Sequence, residues 1–313
     1  MSYQLIQIFE LENISRLSTY IEQTLTRQGT YDENKQVYLE QFKEQTNNYL
    51  QKKDYISVLE LLFDARLKFR LDNKFLQTIP ALTSYFIQQC NQKEKKEELL
   101  QAFIHLNDKE TQYSINQKLN LYGILFNGLD KESNIQLELF KEIINFSKKH
   151  DKLSVLNNSL VNLDEITQGW KISNDKKQGL YQHIINVLDK QKYQELKCKL
   201  IIKYLQSFNS INNEENEFSK KQILYLILQG QILSEYNNIF ESQGMQYLEK
   251  SNSDLYQIFS FFITGDVQGY LNFKNQKPNA IKSLNINEDQ YSEKVRVQSI
   301  GRITKSGEII TLC

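Results

Sequence analysis

The stretch from Ser251 to Tyr270, SNSDLYQIFSFFITGDVQGY, constrains the fold more than any other part of the chain. Leu255, Ile258, Phe259 and Phe262 recur at the i, i+3, i+4, i+7 spacing of one buried helix face, and Ser251 with Asp254 has the S-x-x-D form of a capping box at its start. Thr264-Gly265-Asp266 interrupts the pattern, with glycine supplying the left-handed conformation common just past a helix end. Val267, Tyr270, Leu271 and Phe273 then begin a second apolar stripe. The spacing predicts a helical hairpin, with these side chains as its core.

Helix is the expectation almost everywhere else. The chain has only 2 prolines and 11 glycines in 313 residues, so long segments run without a breaker. The segments Asn13 to Arg27, Val37 to Leu50, Tyr55 to Arg70 and Lys74 to Cys90 read as successive helices, with Pro80 expected to kink or split the last. Asn107 and Glu110 are expected to cap a helix with the stripe Ile115, Leu119, Tyr122 and Phe126. In the next segment Ile135, Leu139, Ile143 and Phe146 combine with Leu137, Phe140 and Ile144 into a face wide enough to pack on two neighbours. Helices near Leu163 to Trp170, Lys176 to Leu188 and Tyr193 to Phe208 precede a polar loop from Asn209 to Asn216, and Lys220 to Gln229 resumes the series. Consecutive antiparallel helices at this spacing predict an all-α fold, a right-handed superhelical array of helix pairs with at most a short β-hairpin or frayed tail at the C-terminus. The expected division is an N-terminal helix and linker over 1–34, a helical-repeat array over 35–208, a second helical region over 217–300 and a linking remnant over 301–313.

Composition excludes some functions. Lys plus Arg equals Asp plus Glu at 38 each, which removes the bulk electrostatic argument for nucleic-acid or anionic-membrane partners. The 29 Asn and 32 Gln are spread among regular apolar positions, as expected of exposed helix faces and not of low-complexity tracts. No apolar run approaches bilayer length and the N-terminus lacks a basic segment followed by a long apolar core, so a soluble, cytoplasmic chain is expected. Cys90, Cys198 and Cys313 are three and widely spaced, which suits free thiols in a reducing compartment.

Catalytic patterns are lacking. Gly123 to Lys131 superficially resembles a phosphate loop, but its lysine is misplaced and its glycines lie in or just after a helix instead of following a strand. His105, His150 and His183 have no metal-spaced neighbours, and Cys198 sits between Leu196 and Leu200 as a small apolar residue would. Asn13, Asn145 and Asn157 fit a glycosylation pattern by chance in an Asn-rich chain, and the KEKKEE run from Lys93 reads as a solvated helix start. Neither a cofactor nor a metal is expected.

The pattern L-x-x-I-F-x-x-F-x-x-G-D-x-x-x-Y at Leu255 to Tyr270 resembles the helical half of PCI domains, which build the proteasome lid, the COP9 signalosome and translation initiation factor 3. Within that family, Ser114 to Leu188 is similar to the M-subunit branch of translation initiation factor 3: Leu119, Leu121, Leu125, Phe126, Asn127 and Asp130 occupy one motif, and Leu163, Asp164, Ile166 and a one-residue-shifted Trp170 another. The similarity covers most of the chain beyond residue 55. It implies a non-catalytic scaffold, supporting assembly of the 43S pre-initiation complex and mRNA recruitment to the small ribosomal subunit. The implied neighbours are the MPN-bearing F and H subunits and other PCI subunits, with no direct RNA contact. Phe126, Trp170, Leu255, Phe259, Phe262, Gly265, Asp266 and Tyr270 are the structural and interaction candidates, Trp170 as a core anchor between helix pairs. The family's array is followed by a winged helix, and the segment Gly301 to Cys313 corresponds to the link into it, so this sequence is expected to lack that domain. A PCI subunit of the COP9 signalosome or proteasome lid, or a helical RNA-binding protein, are the alternative readings.

Overall fold

The computed structural model describes residues 14–29, 32–69, 71–130, 134–170, 172–188, 192–208, 213–229 and 234–306. The readings placed on residues 1–13, on Lys131, on 209–212 and on 307–313, including Cys313, lie outside the described residues. Among those described there are seventeen α-helices, two 3₁₀ segments and no strand, an all-α helical array. The chain divides into two compact units, the first Met1–Asn157 with Asp164–Lys171, the second Asn158–Leu163 with Ile172–Cys313. The boundary read at 208/217 falls within the second unit.

In the first unit α1 (Ile14–Arg27), α2 (Glu33–Gln51), α3 (Tyr55–Lys68), α4 (Asn73–Gln89), α5 (Lys93–Lys109), α6 (Ile115–Gly128) and α7 (Asn134–Lys149) follow one another. Three begin on an aspartate whose carboxylate accepts a first-turn N–H: Asp32 from Lys35, Asp54 from Ser57 and Asp72 from Phe75. Their apolar faces form one core that runs from Leu17 to Phe146. An edge-to-face series of rings threads it: Phe63 on Phe103 at 6.1 Å, Phe103 on Tyr122 at 6.1 Å, and Tyr122 on Phe146 at 5.4 Å. The double stripe of α7 is resolved as two contacts. Ile135, Leu139, Ile143 and Phe146 enter that core, while Phe140 on the other stripe meets Trp170. The KEKKEE run does open α5 as an exposed first turn.

Two expectations here are corrected. Pro80 does not split α4, which runs unbroken from Asn73 to Gln89; Leu76, Ile79, Leu82 and Phe86 are buried on either side of it, and that packing outweighs one lost backbone hydrogen bond. Asn107 and Glu110 do not cap α6. Asn107 is a buried residue inside α5, its amide directed to the Lys118 carbonyl at 3.4 Å, and Glu110 follows the helix end. The box belongs to Ser114 and Gln117: Gln117 N–H donates to Ser114 Oγ at 3.2 Å and Ser114 N–H to Gln117 Oε1 at 2.8 Å.

Helix ends reveal a conformation that the sequence hides. Lys53, Asp151 and Asn285 have φ of 56°, 51° and 57°, and each closes the double hydrogen bond of a Schellman turn. At Lys53 these bonds run from its own N–H to the Leu50 carbonyl at 3.0 Å and from Asp54 N–H to the Tyr49 carbonyl at 2.8 Å. A lysine there bears a steric cost that glycine does not. Lys53→Gly is therefore expected to stabilise the first unit by about 0.5 to 1 kcal/mol, read as a raised urea midpoint with unchanged slope.

The second unit contains α10 (Asn174–Val187), α11 (Gln194–Gln206), α12 (Asn213–Gln229), α13 (Gln243–Ser251), α14 (Ser253–Thr264), α15 (Val267–Gln276), α16 (Ala280–Ser283) and α17 (Glu288–Ser306); α8 (Asn157–Val161) and α9 (Leu163–Gln168) precede them. Helix α12 starts at Asn213, inside the segment read as a loop, and α17 continues as helix through Ser306, beyond the expected break at 301.

Candidate functional site

The hairpin predicted at the start is present as α14 and α15. Leu255, Ile258, Phe259, Phe262 and Ile263 are buried on α14, and Tyr270 and Phe273 on α15. Leu271, counted in the second stripe, is instead 39% exposed. The N-terminal cap is also one residue off. Ser251 ends α13, and it is Asn252 that caps α14, its Oδ1 accepting from Leu255 N–H at 3.1 Å.

Gly265 and Asp266 make the turn. Gly265 has φ 65° and its N–H donates to the Phe261 carbonyl at 2.9 Å, closing α14. Asp266 opens α15 by accepting the Gly269 N–H at 2.8 Å on Oδ1. A Cβ on Gly265 would lie 2.4 Å from the backbone nitrogen of Ser299 and 2.6 Å from its Cα. The glycine therefore serves two ends at once, a left-handed turn and the backbone-to-backbone approach of α17.

That third helix completes the site. Tyr291 of α17 is buried, stands edge-on to Tyr270 at 5.2 Å between ring centres, and donates its hydroxyl to the Ile258 carbonyl at 2.5 Å. Burial pushes the Tyr291 phenol far above its ordinary pKa, so it remains a donor. Val295 and Gln298 continue the same buried face. At the rim, Lys277 pairs with Asp254 at 2.5 Å and Lys274 with Glu288, fastening α15 to α14 and to α17.

Lys294 reaches from α17 to another helix end. Its ammonium donates to the carbonyls of Ile227, at 3.0 Å, and Leu228, in the last turn of α12, while Gln194 donates to the carbonyl of Gln229. Cations are favoured there, because the last carbonyls lack helical partners and carry the negative end of the dipole. Burial nevertheless pulls the Lys294 pKa down. Lys294→Met is expected to cost about 1 kcal/mol and to speed amide exchange in α12 and α17 ahead of α10, as followed by hydrogen-exchange mass spectrometry.

Phe126 and Trp170 lie in the first unit and form a separate cluster. Trp170 is 6% exposed and stands edge-on to Phe126 at 6.0 Å and to Phe140 at 5.7 Å. Its ring anchors the short segment after α9 to the last turn of α6 and the middle of α7. The structure thus brings Leu255, Phe259, Phe262, Gly265, Asp266 and Tyr270 together and leaves Phe126 and Trp170 as a pair in the other unit. Tyr291, Lys294, Val295 and Gln298 are the site residues that sequence reasoning missed. The run Tyr291, Val295, Gln298 at i, i+4, i+7 behind the acidic turn Glu288-Asp289 was the available signal.

The reactive groups the sequence singled out can be located one by one. Among the described residues no group of three His, Cys, Asp or Glu is placed to hold a metal ion, and no helix is long and apolar enough to cross a membrane. The Cys198 thiol is buried and pushed up to about 11 by desolvation, and the Cys90 thiol is pushed up for the same reason, so both stay protonated near neutrality. Gly123 to Gly128 is part of α6 and has no free loop to wrap a phosphate. The arrangement packs α14, α15 and α17 against one another through buried side chains and the Gly265 turn.

No family model matches the chain. Curated proteins similar to it include three described as eukaryotic translation initiation factor 3 subunit M. The one from Dictyostelium discoideum is 24% identical over 191 residues, 60% of this chain and 47% of the relative. The one from Nematostella vectensis is 22% identical over 199 residues, 62% and 51% of the two chains, and the one from Gallus gallus 19% identical over 193 residues, 61% and 51%. The chain spans about half the length of the curated relatives it matches. The likeness to M subunits read from the sequence is thus found in proteins of widely separated organisms.

Proposed function

We propose that the chain is a non-catalytic scaffold subunit of translation initiation factor 3, acting in the cytoplasm in the assembly of the 43S pre-initiation complex and in bringing mRNA to the small ribosomal subunit. The observation that carries this reading is the similarity to M subunits over 191 residues. The fold is in keeping with it, because packed helix faces offer extended contact surface without requiring a reactive side chain. By this reading its neighbours are the F and H subunits with their MPN domains and other PCI subunits. Contact with the ribosomal subunit is indirect, through them.

The test is to tag the chain in cells that express it, purify it gently and identify what accompanies it by mass spectrometry. Translation initiation factor 3 subunits, F and H among them, are expected at near-stoichiometric yield. Recovery of COP9 signalosome or proteasome-lid subunits in their place would overturn the reading in favour of another PCI assembly. Direct RNA binding is tested apart, by titrating single-stranded RNA at two salt concentrations. Binding that weakens steeply with salt would assign the chain to the RNA-binding class.

A further inference from the structure

The stretch from Gly123 to Lys131 is no phosphate loop, yet it contains the one Asn-Gly pair of the chain, Asn127-Gly128. Asn127 is exposed and is the penultimate residue of α6; the helix ends at Gly128, and Leu129 is already extended, with ψ 151°. We propose that Asn127 is a deamidation site, held in check by the last turn of α6 and modified when that turn opens.

The chemistry needs only groups that are present and water. The Gly128 backbone nitrogen attacks Asn127 Cγ; the new N–Cγ bond forms, the Cγ–Nδ2 bond breaks, and ammonia leaves with the proton from the attacking nitrogen. Water then opens the succinimide at either carbonyl, giving aspartate or isoaspartate. Glycine after the asparagine suits the first step because no side chain shields its nitrogen. Helical backbone opposes it, since the attacking nitrogen must leave the helical conformation to approach Cγ.

Two side chains outside α6 hold this backbone. Gln136 of α7 donates its Nε2 to the Phe126 carbonyl at 3.0 Å, and Gln88 of α4 donates its Nε2 to the Gly128 carbonyl at 3.2 Å. The carbonyls on either side of Asn127 are thereby pinned by neighbouring helices, and the Leu129 N–H closes the turn on the Leu125 carbonyl at 3.1 Å. Either product has consequences for the fold. Both add a negative charge in the final turn, where the negative end of the dipole already lies, and isoaspartate lengthens the backbone beside Phe126, the residue on which Trp170 rests.

The experiment incubates the full chain in mildly alkaline buffer, folded and in urea, and follows each asparagine by peptide mapping for the mass change of an amide becoming an acid. In the folded chain Asn127 is expected to react ahead of Asn158 and Asn252, which precede serines, and several-fold more slowly than it does in urea. Gln88→Ala, a change at an exposed position, is expected to raise the folded-state rate several-fold while leaving the rate in urea unchanged. Asn127→Gln and Gly128→Ala should each remove the signal; the first keeps the glycine and so avoids the Cβ that would meet Ser84 Oγ at 2.8 Å. Earlier reaction at Asn158 or Asn252, equal rates for Asn127 with and without urea, or a Gln88→Ala rate identical to that of the parent chain would each overturn the proposal.

Discussion

Replacing Phe262 by Ala lowers the stability of the second unit by about 3 to 5 kcal/mol. Its ring is wholly buried on α14, with Leu255, Ile258 and Phe259 on the same face and α17 packed across it. Truncation removes a large apolar surface and leaves a cavity among helices that are pinned by Tyr291 and the Gly265 turn, so the space cannot readily collapse. The sole tryptophan lies in the first unit, so its emission reports on that unit. Urea unfolding followed by far-ultraviolet circular dichroism should lose its second-unit component at lower denaturant, while Trp170 emission retains its own transition. A loss below roughly 0.5 kcal/mol, the range of surface substitutions, would show that this face is not core.

How far the hairpin could be read in advance follows from the range over which its determinants act. The stripe of α14 and the glycine that ends it are local, and both were legible from spacing. The capping residue was misplaced because Ser251 and Asn252 are both good caps, and what decides between them is the length of α13, set by Met245 and Leu248 against the core. The same logic explains Asn107, drawn into α5 by burial although its residue type favours a helix start. Long-range contacts were invisible. Lys294 capping the carbonyls of α12 joins residues far apart in the sequence, and no periodicity encodes it. The left-handed helix end at Lys53 was equally hidden, since lysine does not announce that conformation, whereas Asp151 is of a residue type enriched there. The likeness to M subunits was readable because it rests on residue identities along the sequence. The division of the chain was not, because the segment Asp164–Lys171 groups with the first unit, where Trp170 meets Phe126 and Phe140, after the backbone has already entered the second.

Gly265→Ala is the sharpest test of the three-helix arrangement, with an expected loss of about 2 to 5 kcal/mol: about 1 to 2 for a side chain at positive φ, and about 1 to 3 for forcing a methyl into a closed contact. The second contribution is the informative one. The obstacle is backbone, the nitrogen and Cα of Ser299, so relief requires α17 to withdraw as a body and to loosen Tyr291 from Tyr270 and Lys294 from α12. Two other glycines separate the contributions. Gly29 has nearly the same φ, 63°, with nothing within 4 Å of its would-be Cβ, so Gly29→Ala should show the conformational cost alone, about 1 to 2 kcal/mol. Gly269 has no positive φ, and its Cβ would meet the carboxylate of Asp266 and the ring of Phe261, both side chains. Gly269→Ala should then cost about 1 kcal/mol, through loss of the Asp266 cap. Thermal denaturation of the three variants, with amide exchange across α17, ranks them. If Gly265→Ala is no more damaging than Gly29→Ala, α17 does not press on the turn, and the α14–α15 hairpin stands on its own.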